Sequence, residues 1–397
     1  MLPQSLRRLG VIVRWNLESL LARPRSALVA MIGFAGVVSV FVGVLSIQQG
    51  FQNASRAIGG EEIAMIMRNS AQAELASVIR AADLSIIESA PGIARSDDRP
   101  LIAPELLVVV NVPKRGTNIE ATVPMRGLHR NSLALRQSVK VTEGRMFTPG
   151  LNEIVVGRGA AEQYQGLRVG DRLRSGRHSW SVVGLFEANG GVHESEIWAD
   201  GNVLQTAYER GNTYQSVYAK LSSREALGAL KHTLEADSRL AVSVRTEAEY
   251  YRELGKFQSD FIATAGAVIA VLMAGGAIFG AVNMMHSAVA GRQREIGIFR
   301  ALGFGRGGVL LALLVESTLI GVVGGLLGGL LTRVVLNGYQ VSTVNFESFS
   351  QVVFAFSVTS DLIKEGIVLA LLMGFIGGLP SALAAARAPI ITSLRAA

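Results

Sequence analysis

The 397-residue chain contains no cysteine and only five histidines. The missing thiols exclude a disulfide framework and thiolate metal sites. They leave the compartment open, because a cysteine-free domain can sit on either side of a membrane. Charge is scarce as well: Asp, Glu, Lys and Arg make up 17% of residues, against about a quarter in an ordinary soluble chain. Hydrophobic residues make up 49%. The scarcity is uneven. Windows of globular composition alternate with stretches almost free of charge, so the chain is part membrane-embedded and part water-soluble.

Motifs for common chemistries are also missing. The only Gly-Lys pair, Gly255-Lys256, is followed by Phe257 and lacks the upstream glycine of a phosphate-cradling G-x-x-x-x-G-K-[ST] loop. ATP hydrolysis by this chain is therefore not expected. No G-x-S-x-G elbow is present. His129, His178, His193, His232 and His286 are scattered, without H-E-x-x-H spacing. His193-Glu194 with Glu196 is weighed as a metal site, but a solvated loop is the favoured reading. No catalytic residue, cofactor site or metal site is assigned.

What is present is positive charge beside apolar runs. The net charge is +7. Residues 1–25 contribute +4, from Arg7, Arg8, Arg14, Arg23 and Arg25 against Glu18. Arg292, Arg294, Arg300 and Arg306 against Glu295 give +3, Arg387 and Arg395 give +2, and the remainder is −2. This is the positive-inside pattern of cytoplasmic loops and argues against nucleic acid as a partner. Ala27–Ile47, Phe261–Gly291 and Gly366–Ala386 are uncharged, and Gly307–Thr332 is interrupted only by Glu316. Each reaches the roughly 20 residues that a spanning helix needs. The first is read as an uncleaved anchor, since no small-residue cleavage pattern follows it.

The expected map is a four-helix integral membrane protein. A cytoplasmic amphipathic helix (1–25) leads into spans at 26–47, 261–291, 307–332 and 366–386. An α+β extracytoplasmic domain of two subdomains (48–260) is inserted between the first and second spans. A cytoplasmic segment (292–306), an extracytoplasmic loop (333–365) and a cytoplasmic tail (387–397) complete it. In the N-terminal segment, Leu6, Leu9, Val13, Leu17, Leu20 and Leu21 share one face at about 100° per residue, up to Pro24. Gly321, Gly325 and Gly329 follow the i, i+4 spacing that lets helix backbones approach, within one chain or between subunits. Glu316, an intramembrane acid, is read as a structural partner for a nearby Arg or backbone donor in preference to proton coupling.

In the inserted domain, Ala71–Ala90 reads as helix, ending at Pro91-Gly92. Leu106–Val112, Glu153–Val156, Trp180–Phe186 and Leu240–Val244 read as strands, and Arg224–Leu234 as helix. Gly157, Gly170-Asp171 and Ser175-Gly176 are the turn signals.

The most specific segment is Gly291-Arg-Gln-Arg-Glu-Ile-Gly-Ile-Phe-Arg-Ala-Leu-Gly303, followed by Leu314-Val-Glu-Ser317 and the glycine stripe. It resembles the permeases of the MacB/FtsX/LolC-type ABC transporter superfamily. Ala82–Ile93, Gly144–Phe147, Glu153–Gly157, Val169–Asp171, Val182–Leu185 and the tail from Pro380 to Arg395 follow the same family. The resemblance implies a coupling helix at Arg292–Leu302 that docks on a separate cytoplasmic ATPase dimer, which binds ATP and Mg. On that helix Glu295, Ile298, Phe299 and Leu302 are expected on one side, with Arg294 and Arg300 elsewhere. It further implies a second permease copy or paralogue, a periplasmic adaptor or substrate-binding partner, a place in the cell inner membrane, and mechanotransmission. The alternative within the family is an FtsX-like regulator of a cell-wall hydrolase. In the families it resembles, MacB carries its own ATPase domain and FtsX a smaller outside domain, so the resemblance points to the MacB/LolC-like branch.

Overall fold

A computed structural model describes residues 24–56, 61–344 and 351–390. The amphipathic segment before Pro24 and the end of the tail lie outside the described residues. Seven helices among the described residues are nine residues or longer. They are α1 (Pro24–Arg56), α2 (Ala81–Ser89), α3 (Ala226–Ala236), α4 (Glu247–Ala290), α5 (Gln293–Ala301), α6 (Arg306–Leu336) and α7 (Ser360–Arg387). Pro24 is the first residue of α1, where its missing N–H is no loss. Within α1, α4, α6 and α7, the stretches Ala27–Ala54, Asp260–Ala290, Arg306–Leu336 and Ser360–Arg387 are long and apolar enough to cross a membrane.

The chain divides into two compact units. Among the described residues, one comprises the chain up to 49 together with 262–339 and the stretch from 356 on, and the other comprises those between 50 and 261 and between 340 and 355. In the helical unit, the glycines of α6 form two ridges. Gly321, Gly325 and Gly329 face α7: a Cβ on Gly325 would lie 2.7 Å from Ala370 Cβ, and one on Gly329 would lie 2.8 Å from Ile363 Cγ2. Gly324 and Gly328 face α1, where a Cβ would meet Phe34 Cβ at 2.8 Å and Ala35 Cα at 3.0 Å, respectively. Ser39 Oγ donates to the Gly328 carbonyl (3.0 Å) and Thr332 Oγ1 to the Ser39 carbonyl (3.3 Å). The glycine stripe thus packs helices of the same chain.

The other unit is built on one ten-stranded mixed sheet. Its strands are β1 (Ile63–Arg68), β2 (Ile102–Pro113), β3 (Glu120–Leu128), β4 (Lys140–Gly144), β5 (Glu153–Gly157), β6 (Arg172–Ser175), β7 (His178–Glu187), β8 (Ile197–Asp200), β9 (Ser216–Lys220) and β10 (Val242–Thr246). Their order is β10-β1-β9-β2-β3-β8-β5-β7-β4, with β6 also on β7. Strand β2 spans two subdomains: Ile102–Glu105 pairs with β9, and Leu106–Pro113 with β3. Each half has its own apolar core. Ile66, Val217 and Val244 of the sheet pack with Ile87 of α2 and Leu230 of α3, while Val108, Val110, Ile154, Trp180 and Ile197 fill the other subdomain.

Four expectations change. The helix anticipated over 71–90 is only Ala81–Ser89, because Glu74–Ala76 forms a 3₁₀ turn and Ile79–Arg80 an extended pair with Thr213-Tyr214. Ser77 Oγ accepts from Arg68 N there, so its side chain completes a β1 hydrogen bond instead of a helix. Helix α4 begins at Glu247, well before the apolar run at Phe261, so its first turns belong to the inserted domain. The segment 333–365 is not a plain loop. It contains a hairpin, β11 (Gln340–Val344) with β12 (Gln351–Ala355), that belongs to the inserted domain. Val353 N donates to Ser195 Oγ (2.8 Å), and Phe354 meets Phe51 edge-on at 5.5 Å. Gly157 makes no turn. It precedes the short helix Arg158–Gln163, and a Cβ there would lie 2.6 Å from Glu194 Cα.

Candidate functional site

Helix α5 occupies the segment after α4 and stops at Gly303, whose φ of +89° favours glycine and ends the turn. Ile296 and Gly297 face inward and are buried. Arg294, Glu295, Ile298, Ala301 and Leu302 are exposed, Ile298 by 44% and Leu302 by 70%. Phe299 is half-buried, its ring edge-on to Phe304 at 5.6 Å.

The expected face is therefore redrawn. Arg294 lies one turn before Ile298 and shares its exposed side. Phe299 turns partly inward because Phe304 covers it. Arg292 is not on the surface: it is 3% exposed, with Nη1 3.3 Å from Glu316 Oε2 and Nη2 3.4 Å from Glu316 Oε1. Glu316 is itself 4% exposed and pairs with Arg292. Sequence had left the partner open between a nearby Arg and a backbone donor, because pairing over 24 residues depends on how α6 packs against the chain ahead of α5.

The inserted domain holds a second constellation, which sequence reasoning missed. Arg126, on β3, is 1% exposed. Its Nη1 is 2.6 Å from Glu74 Oε1 and 3.2 Å from Glu105 Oε2. Its Nη2 is 2.7 Å from Glu196 Oε1, and Nε is 2.9 Å from Glu196 Oε2. Arg136 Nη1 bonds Glu105 Oε1 at 2.5 Å. His193 is buried, which overturns the solvated-loop reading: Nδ1 lies 3.3 Å from Glu196 Oε2 and Nε2 lies 3.3 Å from Glu247 Oε1. The two acids sit on opposite ring nitrogens and so do not converge on one metal position. Trp198 Nε1 donates to Glu196 Oε2 (2.7 Å), and Tyr218 and Tyr251 close the cluster. Among the described residues no group of three His, Asp or Glu is arranged to hold a metal ion.

Four buried carboxylates face two guanidiniums, so a protonated His193 brings the cluster nearer neutrality. Burial pulls the His193 pKa down, but Glu196 and Glu247 more than offset that, and the net shift is upward from 6.5. Burial pushes Glu196 and Glu247 up, yet Arg126 and His193, respectively, lead the opposing interactions that bring both below 4.5. The raised histidine stabilises the fold fully below its unfolded pKa, about 6.5, and loses that contribution as pH rises through the folded value. The depressed acids stabilise above about 4.5 and lose that contribution as pH falls through theirs. Unfolding of the domain is thus expected to be hardest between about pH 4.5 and 6.5. In His193→Gln the decline on the alkaline side should flatten, as followed by denaturant midpoints across pH. An unaltered alkaline limb in that variant would show that His193 is neutral in the fold.

Four apolar helices, a large α+β domain inserted after the first, and a short helix with one exposed side after the second define a multi-pass membrane protein with a large water-soluble insertion. Residues 27–237 match the MacB-like periplasmic core domain, and residues 267–390 the FtsX-like permease C-terminal domain. The chain belongs to the MacB/FtsX family of ABC transporter permeases. It is 24% identical over 343 residues to the uncharacterised ABC transporter permease YknZ of Bacillus subtilis, covering 80% of this chain and 83% of that one. It is 25% identical over 280 residues to the uncharacterised permease protein Rv0987 of Mycobacterium tuberculosis, covering 67% of this chain and 32% of that longer protein. Among solved structures, the extracellular domain of YknZ aligns with a TM-score of 0.34 at 16% identity, over 46% of this chain and 99% of that domain. The periplasmic region of MacB from Actinobacillus actinomycetemcomitans aligns at 0.37 and 12% identity, over 50% and 94%.

Proposed function

We propose that this chain is the permease subunit of a mechanotransmission (type VII) ABC transporter. A separate cytoplasmic ATPase dimer, which binds ATP and Mg, docks on the exposed side of α5. Its closure moves the helices and, through them, the periplasmic core domain. The cargo class is a lipid, lipoprotein, peptide or small toxic molecule that is exported or extracted from the membrane, with a second permease copy or paralogue alongside. The N-terminus, the α5 segment and the C-terminus lie in the cytoplasm, as their arginines favour.

The observation that carries this reading is the outward side of α5. Ile298 and Leu302 stand exposed beside Arg294 and Glu295 on a helix whose back is buried. An apolar pair flanked by one acid and one base is suited to a protein groove. A loop held only to acidic lipid would need its arginines alone.

The test is co-purification of the ATPase with Leu302→Asp, normalised to inserted permease. A charge placed in a buried interface costs several kcal/mol, and about 1.4 kcal/mol is tenfold in affinity. Association should fall at least about a hundredfold, while the permease still folds, since Leu302 is exposed in the free chain. Lys364→Asp, at the start of α7, should bind as the wild type does. If Leu302→Asp retains its ATPase, α5 is not the docking element.

A further inference from the structure

We propose that Arg292 and Glu316 form an internal strut that sets the orientation of α5, making Arg292 a positioning residue for docking; this rests on the docking role of α5 above. The argument begins with spacing. Residues four apart on a helix form a ridge. Arg292, Ile296 and Arg300 form one such ridge, and Arg294, Ile298 and Leu302 form another, displaced by two residues and therefore by about 200°. The first ridge is anchored at all three positions. Arg292 grips Glu316 on α6 through both terminal nitrogens, at 3.3 and 3.4 Å. Ile296 is buried in the apolar cluster with Val289, Val309, Leu313 and Ala385. Arg300 Nη1 donates to the carbonyl of Ala388, the C-cap residue of α7, where helix carbonyls lack internal partners. The second ridge is the exposed one.

The polar tethers of α5 therefore run to α6 and α7, although the chain enters α5 from α4. Its orientation is referenced to the α6–α7 pair, itself closely packed through Gly321, Gly325 and Gly374. Glu316 lies ten residues into α6, about 15 Å along its axis. Glu316 is 4% exposed, and a buried charge is costly unless paired. When the acid is neutralised, the lowest-cost response for Arg292 is to swing out to water. That swing rolls α5 about its axis and turns the docking ridge away from the direction it now faces.

The test uses the 397-residue chain, which has no cysteine. Spin labels are placed through Leu302→Cys and Val335→Cys, both exposed, and their distance distribution is measured without ATPase. The wild-type background should give a narrow distribution. Glu316→Gln and Arg292→Gln should broaden or shift it, and the exchange Arg292→Glu with Glu316→Arg should restore it. With ATPase present, ATP turnover per bound ATPase should fall at least tenfold in Glu316→Gln and recover in the exchange. An unchanged distribution in Glu316→Gln overturns the strut. If the single variants fail to insert, the exchange decides: a folded chain with the wild-type distribution supports the strut, and failure to recover overturns it. Absence of any ATPase on the wild-type chain would instead remove the docking role and leave the distance result readable by itself.

Discussion

Arg126→Met is expected to destabilise the inserted α+β domain by about 3–5 kcal/mol, the usual cost of leaving buried charges without their partner. That is a large share of the roughly 5–15 kcal/mol that holds a domain together. The side chain is 1% exposed and contacts Glu74, Glu105 and Glu196, from three separate segments of the chain. Methionine fills much of the volume but answers none of those carboxylates. Glu105 keeps Arg136, whereas Glu74 and Glu196 lose their closest cation. Tryptophan fluorescence during urea unfolding of the full chain reads the effect, because Trp180 and Trp198 are buried and Trp198 bonds Glu196 directly. Arg145→Met breaks an ion pair with Glu153 at the surface, where the arginine side chain is 55% exposed, and should leave the midpoint near that of the wild type. A wild-type midpoint for Arg126→Met would mean that the cluster has little net effect on stability.

Gly328→Leu should disrupt the helical unit more than any equally small change elsewhere in α6. Its added carbons would press on Ala35 backbone atoms, with Cα 3.0 Å from the first of them. Backbone cannot rotate away as a side chain does, so α1 and α6 must separate. That separation also breaks the bonds from Ser39 to the Gly328 carbonyl and from Thr332 to the Ser39 carbonyl. Overpacking typically costs about 1–3 kcal/mol and more where backbone must move. Gly276→Leu, where nothing lies within 4 Å of an added Cβ, is the matched control. In detergent, thermal aggregation followed by size-exclusion chromatography should come many degrees earlier for Gly328→Leu and near wild type for Gly276→Leu. Equal behaviour of the two would show that α1 and α6 do not depend on that close approach.

Much of the architecture follows from local pattern. A spanning helix needs only a run of apolar residues, because within lipid each backbone group must bond inside its own helix. Ala27–Ile47 and Gly366–Ala386 are therefore legible without knowing any neighbour. The same holds for strands such as Glu153–Val156 and Trp180–Phe186, where β-branched and aromatic residues stand between turn residues. The block from Arg292 to Gly303 is equally local, and it led to the family and to α5 together. Its surface was only half legible. Helical spacing put Ile298 and Leu302 side by side, but which side faces outward depends on what covers the other. Phe304 covers Phe299, and Glu316 draws in Arg292.

The sequence by itself determined the membrane spans, the family and the existence of an inserted α+β domain, because periodicity and composition act over a few residues. Only the tertiary structure decided what pairs across the chain. Arg126 meets Glu74 and Glu196 from 52 and 70 residues away, and Arg292 meets Glu316 from 24. The glycines of α6 likewise acquire a role only when α1 and α7 arrive on their two sides. A charge in a sequence carries no mark of burial. Burial is conferred by elements that pack around it, and for a charge it is tolerable only where an opposite charge from elsewhere in the chain is packed there too.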